Sequence, residues 1–348
     1  MSLETILRQN LKNASPVHHV IKLHGDASYR TYSRITLDNG QTFIALQMPL
    51  GKASASEEIT NFRGTITELP FLNIGRFLKE RGLPVPAIHH YSTTDRIMIL
   101  EDLGDRLFLQ EVAEQPATKQ QAWYQRAVDL IVQLQIAARH APPAACIALQ
   151  RSFDETLLSW EFDHFLEYGL EARGVNVSEA DKKLFLGETR AISRKIATLP
   201  QVFVHRDFQS KNLIIRDDVR VDRDAPLLSI LDFQDALMGP AVYDLVALLR
   251  DSYVDIAWPL ADELIARYAG QTNADANRVR QDFHLVTIQR KLKDAGRFVY
   301  IDRVKGNPNF LGYIPRTLGY VREAFEQLPE YKKLYDLLKK YVSEWRTA

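Results

Sequence analysis

Val204-His205-Arg206-Asp207-Phe208-Gln209-Ser210-Lys211-Asn212, followed by Leu227-Leu228-Ser229-Ile230-Leu231-Asp232, is the part of this chain that decides its fold. An Asp in a tight loop can accept the proton of an attacking hydroxyl. An Asn and a second Asp offer hard oxygen ligands to a Mg2+ ion carrying nucleotide phosphates. Residues 202–204 predict a short strand leading into the loop. Residues 213–215 and 227–231 predict the two strands of a hairpin, with the polar residues 216–224 between them. Such a hairpin would carry Asn212 and Asp232 back to the same edge. Asp and Asn are also ordinary turn residues, and His-Arg-Asp alone arises by chance. The joint context favours phosphoryl transfer, with Asp207 as the base and Asn212 and Asp232 as the metal ligands.

Upstream of this stretch the pattern is first strand-like. A short helix is predicted over 3–13, then strands over 17–23, 29–37 and 42–48. Asp38-Asn39-Gly40 is a hairpin turn, because Asn-Gly adopts positive φ at low cost. The earlier turn, Gly25-Asp26-Ala27-Ser28, would let phosphate oxygens approach backbone amides, although an ordinary hairpin has the same letters. An amphipathic helix is predicted over 71–78, ending at Gly82, and strands over 87–91 and 96–100 lead into Glu101-Asp102-Leu103-Gly104.

From residue 105 the periodicity is helical, with helices predicted over 120–139, 153–170 and 178–199. Trp160, Phe162, Phe165 and Tyr168 fall at helical spacing, which suits a core better than a sugar platform. After Asp232, residues 234–240 read as a loop. Further helices are predicted over 243–250, 282–299, 315–326 and 331–345. Arg290, Lys291, Lys293 and Arg297 form a basic cluster that suits a solvated face or, alternatively, cations turned toward a cleft.

The order Asp207, Asn212, strand, Asp232 resembles the aminoglycoside phosphotransferase/choline kinase branch of the protein-kinase-like fold. Leu231-Asp232-Phe233-Gln234-Asp235-Ala236, Gly239-Pro240 and Tyr243-Asp244-Leu245-Val246 resemble a narrower group. These are the bacterial kinases that phosphorylate the anomeric hydroxyl of N-acetylmuramate and N-acetylglucosamine in cell-wall recycling. The resemblance implies an α+β, bilobal fold. A small antiparallel-sheet N-lobe over 1–103 would bind the nucleotide, and a large, mainly helical C-lobe over 104–348 would carry catalysis and substrate binding. It implies ATP and Mg2+ as cofactors.

The resemblance also places residues. Ser28, Tyr29 and Arg30 would cover the phosphates. Backbone groups of Glu101 and Leu103 would pair with the adenine edge. Asp244 would brace the Asp207 loop by accepting its amides, and His205 would support it. Asp235 would accept from sugar hydroxyls, although a helix cap is its competing role. Arg290 or Lys293 would pair with phosphate or with an acceptor carboxylate. Gln47 departs from the family pattern, because it stands where a phosphate-binding Lys is usual and brings no charge. Lys52, Arg30 or the metal would then supply that charge. An aminoglycoside, choline or other small-alcohol acceptor stays open, as does a nucleotide-binding pseudokinase scaffold.

The composition is compatible with this. The chain has 348 residues, 46% hydrophobic and 25% charged, enough for a large soluble core. Its 44 basic and 44 acidic side chains cancel, so no chain-wide electrostatic footprint for nucleic acid is present. One cysteine excludes an intrachain disulfide, and Cys146, among alanines, reads as a small buried residue. No secretory leader and no membrane-length apolar run, roughly 18 residues, is evident. The expectation is a cytoplasmic enzyme acting on a small-molecule sugar or amino-alcohol substrate.

Overall fold

The computed structural model describes residues 15–23, 31–48, 68–115, 117–222 and 225–346. The helix predicted over 3–13, Lys52 and the turn carrying Ser28, Tyr29 and Arg30 lie outside these residues. The chain opens as an antiparallel sheet of β1 (Val17–Leu23), β2 (Thr31–Leu37), β3 (Thr42–Gln47), β4 (Ile88–Ser92) and β5 (Ile97–Glu101), in the order β1-β2-β3-β5-β4. Strand alternation sends the two faces to different partners. Ile35, Leu37, Ala45, Ile97 and Ile99 form a small cluster on one face. Leu46, Met98 and Leu100 on the other join the main core, where they meet Phe71, Ile74, Phe77 and Leu78 of α1 (Pro70–Glu80). That helix starts with Pro at its first position, which needs no N–H there, and is followed by Gly82 at φ 75°.

Helices make most of the rest, giving the bilobal, protein-kinase-like α+β arrangement. They are α2 (Phe108–Glu114), α3 (Ala117–Ala138), α4 (Glu155–His164), α5 (Glu179–Ala197), α6 (Tyr243–Leu249), α7 (Trp258–Thr272), α8 (Ala276–Lys305), α9 (Ile314–Glu326) and α10 (Lys332–Tyr341). Asp154, Ser178 and Asp275 cap α4, α5 and α8 by accepting from backbone amides three residues on. Phe162 and Phe165 are fully buried, as a core assignment requires. Cys146 is buried and unpaired. Among the described residues, no helix is long and apolar enough to cross a membrane.

Two expectations are corrected. Residues 234–240 are not a loop throughout. Leu237–Pro240 is a strand, β9, antiparallel to β6 (Gln201–Val204), with Val204 opposite Leu237. Four residues are too few for a periodicity signal, and the partner lies far away in sequence. Gly239 is required by this pairing, because a Cβ there would lie 2.7 Å from Val204 and 2.9 Å from Phe153. The basic cluster on α8 is not a solvated face. Arg290, Lys291 and Lys293 are buried, within a stretch of the helix, residues 282–296, that its neighbours enclose.

Candidate active site

β6 runs into the loop that carries Asp207, and the loop leaves through β7 (Leu213–Asp222), which pairs with β8 (Ala225–Ile230). Leu213 stands opposite Ile230, and the Leu231 amide donates to the Asn212 carbonyl at 2.9 Å. Asp232 is the next residue along, so the hairpin brings it beside Asn212. The Asn212 side-chain amide donates to the Asp207 carbonyl at 2.8 Å. Asp207, Asn212 and Asp232 therefore come together at one end of the hairpin. Asp232 is exposed and has φ 60°, a left-handed conformation that turns the chain sharply away from the strand.

Buried side chains hold the loop from several directions. Asp244, on α6, accepts from the amides of His205 at 2.6 Å and Arg206 at 2.9 Å. His205 Nε2 lies 2.8 Å from the Leu231 carbonyl, linking the loop to the residue that joins β8 to Asp232. Arg206 has φ 78°, a strained value for a side-chain-bearing residue, and persists because its surroundings fix it. Its guanidinium donates to Glu161 at 3.1 Å, and its carbonyl accepts from Arg290 at 2.6 Å. Gln289 donates to the other Glu161 oxygen at 2.6 Å. Further along, Ser210 donates through its amide and its hydroxyl to Asp251, at 2.8 and 2.5 Å.

Charge in this region is concentrated and paired. Arg290 donates to the Asp207 carboxylate at 3.3 Å, and its guanidinium lies 4.8 Å from the Tyr243 ring centre. Burial would raise the Asp207 acid, but Lys293, Arg290, Arg206 and Lys211 outweigh it and hold Asp207 well below the usual carboxylate range. Asp207 is thus ionised at neutral pH, with a side chain 37% exposed. Burial prevails at Glu161 and Asp244, whose acids are raised despite their cationic or amide partners. It also pushes the Tyr243 hydroxyl up to about 12.

The remaining expected residues are placed as follows. Arg290 reaches the site but is 0% exposed, so it grips the loop from beneath and presents no surface to a substrate. Asp235 is half-buried in the turn after Asp232, where it accepts from Gln234 at 3.3 Å. Glu101 accepts from the Ala87 amide at 2.9 Å and from Arg216 at 2.7 Å, tying β5 to β7. Leu103 is buried, and its backbone groups have no hydrogen-bond partner among the described residues. Gln47 is not brought to the cluster. It is exposed, and its amide donates to the carbonyls of Asp95 and Arg96, both at 3.1 Å. By alternation it shares the face of Ala45, whereas the opposite face of β3 carries Ile44 and Leu46. On that opposite face Arg34, paired with Ile44, forks onto Asp102 and Asp105.

Several contributors carried no sequence signal of their own. Glu161 and Gln289 sit inside helical patterns that read as core. Arg151 donates to the carbonyls of Ala236 and Gln234, holding the turn after Asp232 from a distant segment. Asp251 follows the recognisable helix Tyr243–Leu249, and only its position near the motif could have drawn notice.

The chain resembles known proteins over most of its length. The family model described as the phosphotransferase enzyme family matches residues 19–281. An N-acetylmuramate/N-acetylglucosamine kinase of Pseudomonas putida is 27% identical over 97% of this chain and 92% of its own length. One of the same description from Neisseria meningitidis serogroup B is 28% identical over 92% of this chain and 89% of its own. Among solved structures, an ADP-bound aminoglycoside phosphotransferase aligns with TM-score 0.61 and 15% identity, over 92% of this chain and 97% of that one. A choline kinase from Streptococcus pneumoniae aligns with TM-score 0.59 and 15% identity, over 94% and 98%. The two structural likenesses speak to the fold.

Proposed function

The chain belongs to the phosphotransferase enzyme family, and on that premise we propose that it transfers the γ-phosphoryl group of ATP to the anomeric hydroxyl of N-acetylmuramate or N-acetylglucosamine. The observation that carries this is the convergence of Asp207, Asn212 and Asp232 on a loop whose amides are held by Asp244. The acceptor class is supported by the near full-length likeness to relatives described as kinases of these two sugars.

Asp207 accepts a hydrogen bond from the acceptor hydroxyl and orients it. As the new O–P bond forms and the bond to the β-phosphate breaks, the hydroxyl proton passes to Asp207 and ADP departs. A strongly depressed carboxylate is a weak base, so positioning outweighs early proton removal. An anomeric hydroxyl, more acidic than an ordinary alcohol, suits such a base. Mg2+ fits the donors present. Asn212 uses its amide nitrogen on the Asp207 carbonyl, which turns its side-chain oxygen the other way, and Asp232 is an exposed carboxylate. When bound, the ion supplies neutralisation of phosphate charge. The Leu103 backbone would meet the adenine edge with Glu101 beside it. Ser28, Tyr29 and Arg30 would donate to the phosphates, within a nucleotide lobe over 1–103 and a catalytic lobe over 104–348. The enzyme would work in the cytoplasm.

An aminoglycoside or choline acceptor would bring positive charge toward Asp207, where Arg290, Lys293, Arg206 and Lys211 already crowd. That crowding favours a neutral or anionic acceptor. The test is Mg2+-dependent phosphorylation of a panel containing both amino sugars, an aminoglycoside and choline, with the product site read by 31P NMR. Sugar 1-phosphates are expected. Transfer only to the cationic acceptors, or nucleotide binding without transfer, would overturn the proposal.

A further inference from the structure

Lys211 lies on the catalytic loop between Asp207 and Asn212, and its surroundings are built more firmly than a surface lysine needs. Its ammonium stands 4.9 Å from the centre of the Tyr253 ring and 5.6 Å from that of Phe310. Tyr253 packs edge-on to Tyr313, at 4.8 Å between ring centres. Lys211, Tyr253 and Tyr313 are each half-buried, so each keeps some surface toward solvent. One fully buried carboxylate positions both sides of this contact. Asp251 accepts from Ser210, the neighbour of Lys211, and through its other oxygen from the Tyr253 amide at 3.0 Å. Between them Ser252 is pinned as well. Its hydroxyl lies 2.8 Å from both Lys291 and Thr317, and its carbonyl accepts from Arg316 at 3.2 Å. A network of buried charges thus fixes a half-exposed lysine of the Asp207 loop together with two half-exposed tyrosines. Fixed aromatic faces beside a few placed polar groups are what a small-molecule subsite requires.

We infer that Tyr253, Tyr313 and Lys211 form the acceptor subsite, with the rings against the apolar face of the pyranose and the Lys211 ammonium selecting a sugar that carries a carboxylate. This rests on the amino-sugar assignment above. It differs from that assignment in naming what distinguishes the two acceptors. N-acetylmuramate has a carboxylate and N-acetylglucosamine does not, so only the former gains a charge-assisted hydrogen bond from Lys211.

The test measures kcat/KM for both sugars, and their Kd by calorimetry, for the wild type, Lys211→Met and Lys211→Arg. In Lys211→Met the ratio of acidic to neutral sugar is expected to fall about ten- to a hundredfold, the worth of one hydrogen bond to a charged group. Lys211→Arg, which keeps the charge, should restore most of it. Tyr253→Ala should raise KM for both sugars together. An unchanged ratio in Lys211→Met overturns the inference, as does a wild type that binds the neutral sugar more tightly. An equal loss on both sugars overturns it too, since Lys211 would then act on the phosphoryl group alone. Failure of the wild type to phosphorylate either sugar would instead remove the amino-sugar assignment. A misfolded Lys211→Met, detected by circular dichroism, would hand the comparison to Lys211→Gln, judged by the same ratio.

Discussion

Arg206 has its amide, its carbonyl and its guanidinium each held by a different buried side chain, those of Asp244, Arg290 and Glu161. Gln47, at the end of β3, is exposed, and its side-chain amide donates to two turn carbonyls. The loop around Asp207 is thus fixed by paired charges in a low-dielectric interior, where unpaired groups are costly. The β3 strand offers apolar side chains to the core and no charge of its own from Ile44 and Leu46. The geometry of the Asp207 loop is over-determined on the helical side, whereas β3 brings no fixed charge on the sheet side.

The largest break in this contrast comes from Asp207→Asn. It should lower kcat about a thousandfold, within the usual range for a lost general base, while calorimetry finds ATP affinity within a few-fold of the wild type. Near-normal turnover would remove Asp207 from the mechanism. Glu161→Ala follows. It leaves the Arg206 guanidinium and Gln289 without their buried partner and should cost about 3–5 kcal/mol in urea denaturation. A loss below about 1 kcal/mol would mean that Arg206 does not need this clamp.

His284 provides a pH test of the same interior. Burial against Trp258, reinforced by Arg250 and Arg280 and opposed by Asp262, holds its imidazole down at about 4, from 6.5. The folded protein therefore keeps it neutral where the unfolded chain binds a proton. Its contribution to stability is complete above about pH 6.5 and is lost as pH falls toward 4, by at most about 3 kcal/mol. His284→Gln should flatten stability against pH across that window, and parallel curves for variant and wild type would contradict the assignment. The smallest effect is expected at Gln47. Gln47→Ala should change stability by under about 1 kcal/mol and KM for ATP by less than about threefold. A tenfold rise in that KM would place Gln47 at the phosphates after all.

The local letters carried a good deal of this. Alternation and Asn-Gly located the sheet strands to within about two residues, and the spacing of Asp207, Asn212 and Asp232 around an apolar pair predicted a hairpin that brings them together. Long-range partners were invisible. Glu161 and Gln289 lie in helices that satisfy a core pattern whether or not they grip Arg206. The α8 cations look like a solvated face, because a sequence records that Arg290 is charged but not that Asp207 and Asp294 wait beside it. β9 was hidden because a four-residue strand acquires meaning only from β6.

What the sequence determined alone was therefore the order of elements and the spacing that brings Asp207, Asn212 and Asp232 to one hairpin end. Both follow from short-range rules, namely side-chain periodicity, turn preference and the chemistry of single residues. Tertiary structure decided which charges are buried, which face of β3 Gln47 occupies and what holds a strained Arg206 in place. Those outcomes depend on the balance between desolvation and pairing, and pairing is fixed only when distant segments meet.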